Sequence, residues 1–511
     1  MLRLTWVQPE DLLGHELRQA EQDGREPSAI AARWRAAGGP PAPLTAGASP
    51  VPASPYLRLL AKDLLDELAD LPSILAEHEP TDLARIRALC RSWPAETAGG
   101  RATQPAGGRT TQPAGSAAGA MGVPPARAKS RAWGRAGAGG APSGEGTPQA
   151  RASETNPRAT PTEAHFEAAW LGRAAGCLLG KPVEKLPLKG IRQLAKVTGN
   201  WPLNTWFTAR GVPAELAATY PWNRRSAKTS LAENIDGMPE DDDLNYPLLN
   251  LLLLGRHGKH FTTTDVARLW LDELPAARTF TAERVAYRNL LSGIEPPRTA
   301  RHRNPFREWI GALIRADVHG WTNPGDPAAA AEQAHRDATL THTGNGVYAA
   351  MFTAAAIAEA ATGAHDVHHC LRTGLTVVPA ASRLARAVRH AIRLAESTPD
   401  FDAVVDELHS AHRGYHWVHA IPNTALIAAA LTHADGDFTG SICRAVSGGW
   451  DTDSNGATAG SIAGLLAGHP TALPDRWTTP LKNRLATSVG DFNGVGFDTL
   501  AHLTHREAHR S

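Results

Sequence analysis

Residues 448–455 read Gly-Gly-Trp-Asp-Thr-Asp-Ser-Asn and stand directly before a run of small residues that is typical of a packed helix. Asp451 and Asp453 alternate along the chain, so a regular helix would point them to nearly opposite sides. A turn loosened by the two preceding glycines allows them to converge. We therefore expect two carboxylates and the hydroxyl of Ser454 to meet at the mouth of a buried helix.

A second acidic cluster lies far upstream, where residues 238–244 read Met-Pro-Glu-Asp-Asp-Asp-Leu. Taken alone, the proline and the acids suit the positive N-terminal end of a helix. Like charges repel at close range, however, so two acidic clusters that the fold brings together need a cation between them. All the candidate ligands are oxygens, which favours Mg²⁺ or Mn²⁺ over zinc. The sequence therefore predicts a buried metal pair.

The long C-terminal part, residues 163–511, has one helical pattern after another and little strand signal. Alanine-rich runs at residues 350–358 and 425–431 are typical of helices that pack closely. We therefore predict an all-α fold in which a compact multi-helix domain occupies this part of the chain.

Two shorter segments precede that domain. Leucines at helical spacing predict a small helical domain of unknown role over residues 1–94. Residues 95–162 are rich in Ala, Gly, Pro, Thr and Arg and cannot bury enough surface to offset the entropy of ordering, so they are expected to form a disordered, flexible linker. Because this linker would isolate the C-terminal domain, we expect a fragment from about Glu163 to fold and act alone.

Composition excludes several classes of protein. A formal net charge of +1 and a pI near 7.9 give no general attraction to nucleic acid or to an anionic membrane. There is neither a signal-peptide pattern nor an apolar run long enough to span a bilayer, so a cytoplasmic location is expected. The four cysteines form no CxxC pair, which argues against a disulfide framework or a structural zinc site; they are Cys90, Cys177, Cys370 and Cys443.

Several motifs, in order, carry a resemblance to a known family. Residues 172–184 form a glycine-spaced helix followed by an acidic residue, and residues 451–455 match a closing Asp-x-Asp-Thr/Ser-Asn motif. Residues 240–243 stand where a Thr-Asp-Asp-Thr motif is usual. Residues 311–315 are similar to a glycine-bearing substrate loop, and residues 341–342 to a Ser-His pair. Together they resemble the ADP-ribosylglycohydrolases, dinuclear-magnesium enzymes that remove ADP-ribose from modified proteins.

The resemblance implies a metal site and catalytic residues. Two Mg²⁺ ions, with Mn²⁺ as an alternative, would be held by Asp241, Asp242, Asp451, Asp453 and Ser454. Glu240 replaces a threonine whose hydroxyl binds metal in the family, and we count it among the ligands, although its longer side chain could also turn away. Glu184 would act as the gating or acid–base carboxylate, with Asp242 and Asp451 also catalytic.

The resemblance also implies substrate contacts. Gly311 would lie near the diphosphate and His342 would contact a ribose. Arg315 is predicted to bind substrate through a phosphate, with pairing to Asp317 or Glu308 as an equal alternative. Asn345 is also counted as a substrate contact, although it could simply cap the following helix.

The predicted function is metal-dependent hydrolysis of the glycosidic bond between ADP-ribose and an acceptor, which would reverse ADP-ribosylation. One alternative is a catalytically silent protein of the same fold that binds ADP-ribose or serves a structural role. Another is hydrolysis of a different small nucleotide or glycosidic substrate. The expected partner is an ADP-ribosylated protein or a small ADP-ribosyl compound, with no membrane; an ADP-ribosylated nucleic-acid base stays open.

Two further patterns are interpreted as structural. Gly172, Gly176 and Gly180 recur one helical turn apart, which close helix packing explains better than phosphate binding. Two groups of histidines suggest zinc at first sight, but we interpret them as ordinary polar residues; they are His365, His368 and His369, and His412, His416 and His419.

Overall fold

The computed structural model describes residues 4–42, 51–94 and 160–510. The regular secondary structure of this part of the chain is almost entirely helical, which confirms the predicted all-α class. Its α-helices are α1 (Pro9–Gln22), α2 (Ser28–Ala36), α3 (Pro55–Asp70), α4 (Leu83–Leu89), α5 (Glu163–Gly180), α6 (Leu188–Val197), α7 (Ala214–Thr219), α8 (Ala227–Ser230), α9 (Asp242–His257), α10 (Thr263–Glu273), α11 (Thr281–Leu291), α12 (Asp317–Trp321), α13 (Pro327–Ala338), α14 (Gly344–Ala360), α15 (Val367–Thr376), α16 (Arg383–Ser397), α17 (Phe401–Ala411), α18 (Ala420–His433), α19 (Phe438–Ser447), α20 (Thr452–Ala467), α21 (Asp475–Thr478) and α22 (Phe497–Ala508).

Short connecting elements complete the fold. Seven 3₁₀ turns join helices within the described residues: Lys181–Val183, Ala276–Arg278, Arg298–Ala300, Ile310–Arg315, Pro470–Ala472, Thr479–Leu481 and Gly490–Phe492. Strand-type pairing in the same ranges is limited to three isolated β-bridges. None of the described helices combines the length and the apolar character that crossing a bilayer requires.

Four helices form the centre of the core, because they are apolar or small on every side: α5, α14, α18 and α20. A helix without a polar face must be buried all round. The amphipathic helix α16 packs its apolar side against α18. The predicted alanine-rich helices thus lie at the centre of the molecule.

The seam between α5 and α20 is made of backbone against backbone. A Cβ built on Gly176 would lie 1.9 Å from the carbonyl oxygen of Gly456, and one built on Gly172 would lie 2.2 Å from that of Gly460. No side chain fits at such distances, so the glycine spacing serves helix packing, as predicted. The two helices run antiparallel, and the end of α5 at Gly180 therefore meets the first turn of α20.

The N-terminal helices α1–α4 form one compact unit with the rest of the described chain. The indole of Trp6 packs edge-on against Phe306, with ring centroids 5.6 Å apart, and Arg307 pairs with Glu16 at 2.7 Å. Most of the predicted linker, residues 95–159, lies outside the described residues. The division of the chain at that linker stays a prediction.

Candidate metal and active site

Three carboxylates meet where α5 ends and α20 begins. Lys181–Val183 continues α5 as one 3₁₀ turn, and Glu184 follows it directly. Asp451 is the residue before the first turn of α20, and Asp453 lies in that turn. Glu184, Asp451 and Asp453 each place a carboxylate oxygen within 4.8 Å of the other two. The α5–α20 seam thus brings together acids that are far apart in sequence.

The turn before α20 adopts a left-handed backbone conformation. Gly449 has a φ of 80° and Trp450 a φ of 58°, a region that non-glycine residues rarely occupy. The indole of Trp450 stacks on His409, with ring centroids 4.1 Å apart and planes 10° apart, and His409 Nε2 donates to the Gly448 carbonyl at 2.8 Å. These contacts hold the turn in the conformation that directs Asp451 into the site.

A polar residue of α18 supports the same turn. Asn423 Oδ1 accepts the backbone N–H of Asp451 at 3.1 Å and the side-chain amide of Asn455 at 2.8 Å. On the other side, the hydroxyl of Thr452 donates to the Gly180 carbonyl at 2.8 Å. The backbone that carries both aspartates is therefore anchored to α18 and to α5.

The second acidic cluster faces the first across the site. Asp241 caps α9 by accepting the N–H of Asp243 at 2.9 Å, and Lys181 pairs with its carboxylate. Burial and the neighbouring charges of Asp241, Asp453 and Glu184 raise the pKa of Asp242 well above its ordinary value. The predicted meeting of the two clusters is thus present in the structure.

The electrostatics of the site favour a bound cation. Burial, Glu184 and Asp241 raise the pKa of Asp453 to about 7, against the opposing charge of Lys181. Burial, Asp453 and Glu184 likewise raise the pKa of Asp451 well above its usual range. A divalent cation would offset this repulsion and favour the ionised carboxylates. The oxygen-only donor set fits a hard ion such as Mg²⁺.

Glu184 is held by two polar neighbours. The side-chain amide of Asn223 donates to its Oε2 at 2.6 Å, and Lys185 Nζ lies 2.8 Å from its Oε1. The Asn223 backbone N–H donates to the Pro182 carbonyl at 2.9 Å, which fixes that residue to the end of α5. Lys185 also lies over the ring of Trp417, 5.8 Å from its centroid. This carboxylate therefore sits at the edge of the cluster with a defined orientation.

Asp243 points away from the site and into the core. Its Oδ1 lies 3.5 Å from Arg173 Nη2, and the Cys177 thiol points at its Oδ2 from 3.8 Å. Burial and the charges of Asp241 and Asp243 raise the pKa of Cys177, so its thiol stays protonated and is a poor metal ligand. Arg173 also pairs with Asp317 and donates to the Ile314 carbonyl.

Sequence reasoning missed Arg173 and Lys181. Each is a buried cation that holds one of the aspartates at the start of α9. The sequence could have indicated both, because each is a basic residue inside, or directly after, a helix of small and apolar residues. An unpaired charge would be costly there, so a carboxylate partner could be expected.

Two of the predicted ligands, Glu240 and Ser454, have hydrogen-bond and ion-pair partners of their own. Glu240 lies 2.9 Å from Arg278 Nη2 and accepts from the Asn245 amide at 3.4 Å. The backbone N–H of Ser454 donates to Asp453 Oδ1 at 3.1 Å, and this residue is buried beside the cluster. A ligand role for either residue stays a prediction, and for Glu240 it would require a side chain released from Arg278.

The predicted substrate contact of Arg315 is not supported by its surroundings. Its side chain is fully buried, and each of its five N–H groups has an acceptor on the protein. The acceptors are the Asp337 carboxylate and carbonyl, Glu283 Oε1 at 3.0 Å, the Gly311 carbonyl at 3.0 Å and the Thr341 hydroxyl at 2.8 Å. No donor is left for a phosphate. Arg315 takes the alternative role, carboxylate pairing, but with Glu283 and Asp337, because Asp317 pairs with Arg173 and Glu308 with Arg383.

The other three predicted substrate contacts also lie against protein groups. A Cβ on Gly311 would lie 2.0 Å from Glu283 Oε1, so this glycine faces a buried carboxylate. His342 is fully buried, and its Nδ1 lies 2.6 Å from the Thr341 hydroxyl. Asn345 donates its backbone and side-chain N–H groups to Glu308 Oε1 at 2.9 and 2.8 Å. The polar atoms of Asn345 are thus occupied by protein, whereas His342 Nε2 is buried without a hydrogen-bond partner among the described residues, so a substrate contact of His342 stays a prediction.

Comparison with known proteins agrees with the motifs. The family model described as ADP-ribosylglycohydrolase matches residues 158–509. A solved structure titled "ADP-ribosylglycohydrolase-related protein complex" is 22% identical, with 68% of this chain and 98% of that chain covered at a TM-score of 0.42. A search among curated proteins found no significant match. Since the family model covers more than half of the sequence, the chain belongs to the ADP-ribosylglycohydrolase family.

Proposed function

We propose that this protein hydrolyses the glycosidic bond between ADP-ribose and an acceptor, in a reaction that requires Mg²⁺. The observation that carries the proposal is the convergence of Glu184, Asp451 and Asp453 within 4.8 Å, beside the buried start of α9, in a chain of this family. A scaffold without catalysis would gain nothing from burying several carboxylates together.

In the proposal, the metal ions are held by oxygens from both acidic clusters: Asp241, Asp242, Asp451, Asp453 and Ser454, with Glu240 as an additional ligand if it leaves Arg278. When bound, the metal would polarise ribose hydroxyls and lower the pKa of a water. Mn²⁺ offers the same preference for oxygen and is an alternative cofactor.

Glu184 is the proposed acid–base residue. Its carboxylate lies at the edge of the metal cluster, oriented by Asn223 and Lys185. From that position it would protonate the departing acceptor or take a proton from the attacking water as the anomeric carbon gains oxocarbenium character. Because Lys185 is nearly half exposed, it can move aside when a substrate enters.

A second candidate is a catalytically silent protein that binds ADP-ribose. The Lys181–Asp241 ion pair favours it, because an ammonium group already neutralises one predicted metal ligand. Lys181 would have to share Asp241 with a metal ion, or leave it, for two ions to be held as the family resemblance implies. Hydrolysis of another small nucleotide or glycosidic substrate remains the third candidate.

One experiment separates these candidates. The full-length protein is incubated with arginine-linked and serine-linked ADP-ribosyl peptides, an ADP-ribosylated oligonucleotide and small ADP-ribosyl compounds, and ADP-ribose release is measured by chromatography. Activity with Mg²⁺ that is lost in EDTA and in Asp453→Ala, but kept in the exposed control Asp475→Ala, supports the proposal. Calorimetric binding of ADP-ribose without any turnover supports the silent candidate and contradicts the proposal.

A further inference from the structure

We propose that Glu359, His365 and His369 form a second cation site, selective for a borderline transition-metal ion such as Zn²⁺. The three residues each offer a ligand atom, and these atoms lie within 4.8 Å of one another, which revises the interpretation of His365 and His369 as ordinary polar residues. Glu359 lies in the last turn of α14, His365 in the connecting turn, and His369 in the first turn of α15. The site is independent of the acidic cluster and shares none of its residues.

The ligand atoms already have the spacing of a metal site. His365 Nε2 lies 3.4 Å from Glu359 Oε1, and His369 Nε2 lies 3.7 Å from the same oxygen. Zinc binds nitrogen and oxygen at about 2.0–2.1 Å, and tetrahedral geometry then separates neighbouring ligand atoms by about 3.3–3.4 Å. A small rotation of the imidazoles would therefore suffice for a zinc ion to contact all three atoms. The rings are 4.1 Å apart and 23° from parallel, so they approach the carboxylate from the same side.

The backbone around the cluster is held by its own hydrogen bonds. The Thr362 hydroxyl donates to the Glu359 carbonyl at 2.7 Å and accepts the N–H of Ala364 at 3.1 Å. Asp366 caps α15 by accepting the backbone N–H of His369 at 2.7 Å. The backbone positions of the three ligands are thus held before a metal arrives, which reduces part of the ordering cost of binding.

Exposure and donor chemistry indicate the class of ion. The side chains of His365 and His369 are 46% and 45% exposed, whereas Glu359 is only 13% exposed beneath them. A metal bound here would keep an open position for water, as in zinc sites with three protein ligands. Two imidazoles and one carboxylate suit Zn²⁺, Ni²⁺ or Co²⁺, while Mg²⁺ prefers oxygen alone. Excess Mg²⁺ can therefore fill the acidic cluster without competing at this site.

The chain supplies a matched control in the neighbouring histidine. His368 belongs to the same helical turn, but its Nε2 faces Asp435 Oδ1 at 2.9 Å and is not part of the cluster. Removing it leaves the proposed ligands in place.

The test is a calorimetric titration of untagged, full-length protein with ZnCl₂ in excess Mg²⁺, repeated for His365→Ala, His369→Ala, Glu359→Gln and His368→Ala. Loss of an outer-shell partner costs about 10–100-fold in metal affinity, so loss of a direct ligand should cost at least tenfold. We expect one Zn²⁺ site to weaken by at least about tenfold in the first three variants and to persist in His368→Ala.

A second measurement guards against misfolded variants and against other histidines on the surface. Co²⁺ in the same position should give the visible absorption of a tetrahedral centre in wild type and in His368→Ala, and thermal melts check that every variant is folded. Unchanged Zn²⁺ stoichiometry and affinity in folded His365→Ala and His369→Ala would overturn the proposal, as would the absence of Zn²⁺ binding by the wild type. ADP-ribosyl hydrolysis in Mg²⁺ does not enter either readout, so the two proposals fail separately.

Discussion

Glu79, in the N-terminal segment, forms a buried ion pair with Arg383 at the start of α16. Its Oε2 lies 2.7 Å from Arg383 Nη2, and its Oε1 accepts the Arg383 backbone N–H at 2.7 Å. Arg383 also lies 2.9 Å from both carboxylate oxygens of Glu308. The side chains of Arg383, Glu79 and Glu308 are only 11%, 5% and 4% exposed. The N-terminal segment, residues 1–94, therefore contributes a carboxylate to a buried ion-pair network of the C-terminal domain.

We expect Glu79→Ala to destabilise the protein markedly. Removing one partner of a buried ion pair costs about 3–5 kcal/mol, and the remaining Glu308 should keep the loss near the lower end of that range. Urea unfolding measures it, with Glu77→Ala as the control, because Glu77 is 85% exposed and pairs only with an exposed arginine. Equal stability of the two variants would contradict the importance of this pair.

The same network changes the expectation that a fragment from Glu163 stands alone. Without the N-terminal helices, Arg307 would lose Glu16 and Asp23, and Arg383 would lose Glu79. Arg383 would keep Glu308 alone, and the apolar rings of Phe306 and Trp309 would lose the cover of Trp6, so we expect the fragment to be insoluble or to melt well below the full chain.

Cutting the full-length chain after it has folded tests the same point without requiring the isolated fragment to be soluble. A protease site introduced between residues 100 and 155 would be cut after folding, and gel filtration would show whether the two pieces separate. We expect them to co-elute, held by the buried ion pairs and by the packing of Trp6 on Phe306. Clean separation with retained activity would restore the independent-domain expectation.

Gly176→Ala should be strongly destabilising although alanine is normally the better helix former. The new Cβ would lie 1.9 Å from the Gly456 carbonyl oxygen, and backbone on both sides leaves nothing that can yield. The control is Gly255→Ala in α9, where the nearest atom would be 3.9 Å away; it should be neutral or stabilising by up to about 1 kcal/mol. Thermal melts of both variants test the contrast, and a neutral Gly176→Ala would disprove the close seam.

Asp453→Asn should have opposite effects with and without metal. In EDTA at pH 8 the variant should be more stable than the wild type by about 1 kcal/mol or more, because it removes one of several buried, mutually repelling charges. In Mg²⁺ the wild type should gain stability through binding, whereas the variant should gain little. Melting temperatures in both buffers are compared with those of Asp475→Asn, an exposed control that should follow the wild type throughout.

His15 should make the N-terminal packing sensitive to acid. Burial, with Arg18 as a smaller cause, lowers the pKa of His15 to about 3, while the unfolded value is near 6.5. The unfolded chain therefore binds a proton that the folded chain excludes, and stability falls as the pH drops from about 6.5 toward 3. Between pH 7 and 5 this contribution amounts to up to about 2 kcal/mol.

The variant His15→Gln measures that contribution. It should lose less stability than the wild type between pH 7 and 5 in urea titrations, while His78→Gln, which removes an exposed histidine, should lose as much as the wild type. Equal pH dependence of His15→Gln and wild type would show that this imidazole does not titrate on unfolding.

The sequence predicted the features that local pattern and motif order determine. Alanine-rich runs indicated buried helices, the glycine spacing indicated a close seam, and the remote acids at Asp242 and Asp453 were expected to be neighbours. The first two are local patterns of residue type, whereas the third was expected from the resemblance of the acidic motifs to the family. The helical class could therefore be predicted from local pattern, and the meeting of the acidic clusters from motif order together with that resemblance.

Pairing inside the core was not predictable in the same way. Lys181 finds Asp241, and Arg315 finds Asp337 and Glu283, through contacts between distant elements, and many carboxylates in the sequence were equally plausible partners. The substrate contacts inferred for Arg315 and Asn345 stay predictions, and their protein partners could not be predicted, because a motif identifies residue types but not which neighbours satisfy their hydrogen bonds. The same reason hid the pairing of Glu79 with Arg383.

The glycine seam between α5 and α20 has a consequence for how the molecule can vary. Glu184 and the aspartates at the start of α20 are carried by two helices whose main chains are in direct contact. The separation and tilt of these helices are therefore set by backbone contact and cannot be adjusted through side-chain substitutions along the seam. The backbone that carries Glu184, Asp451 and Asp453 is thus rigid. Under the proposed function, a different acceptor would therefore be accommodated by changes in the loops that carry Asn223 and Trp417 rather than in this seam.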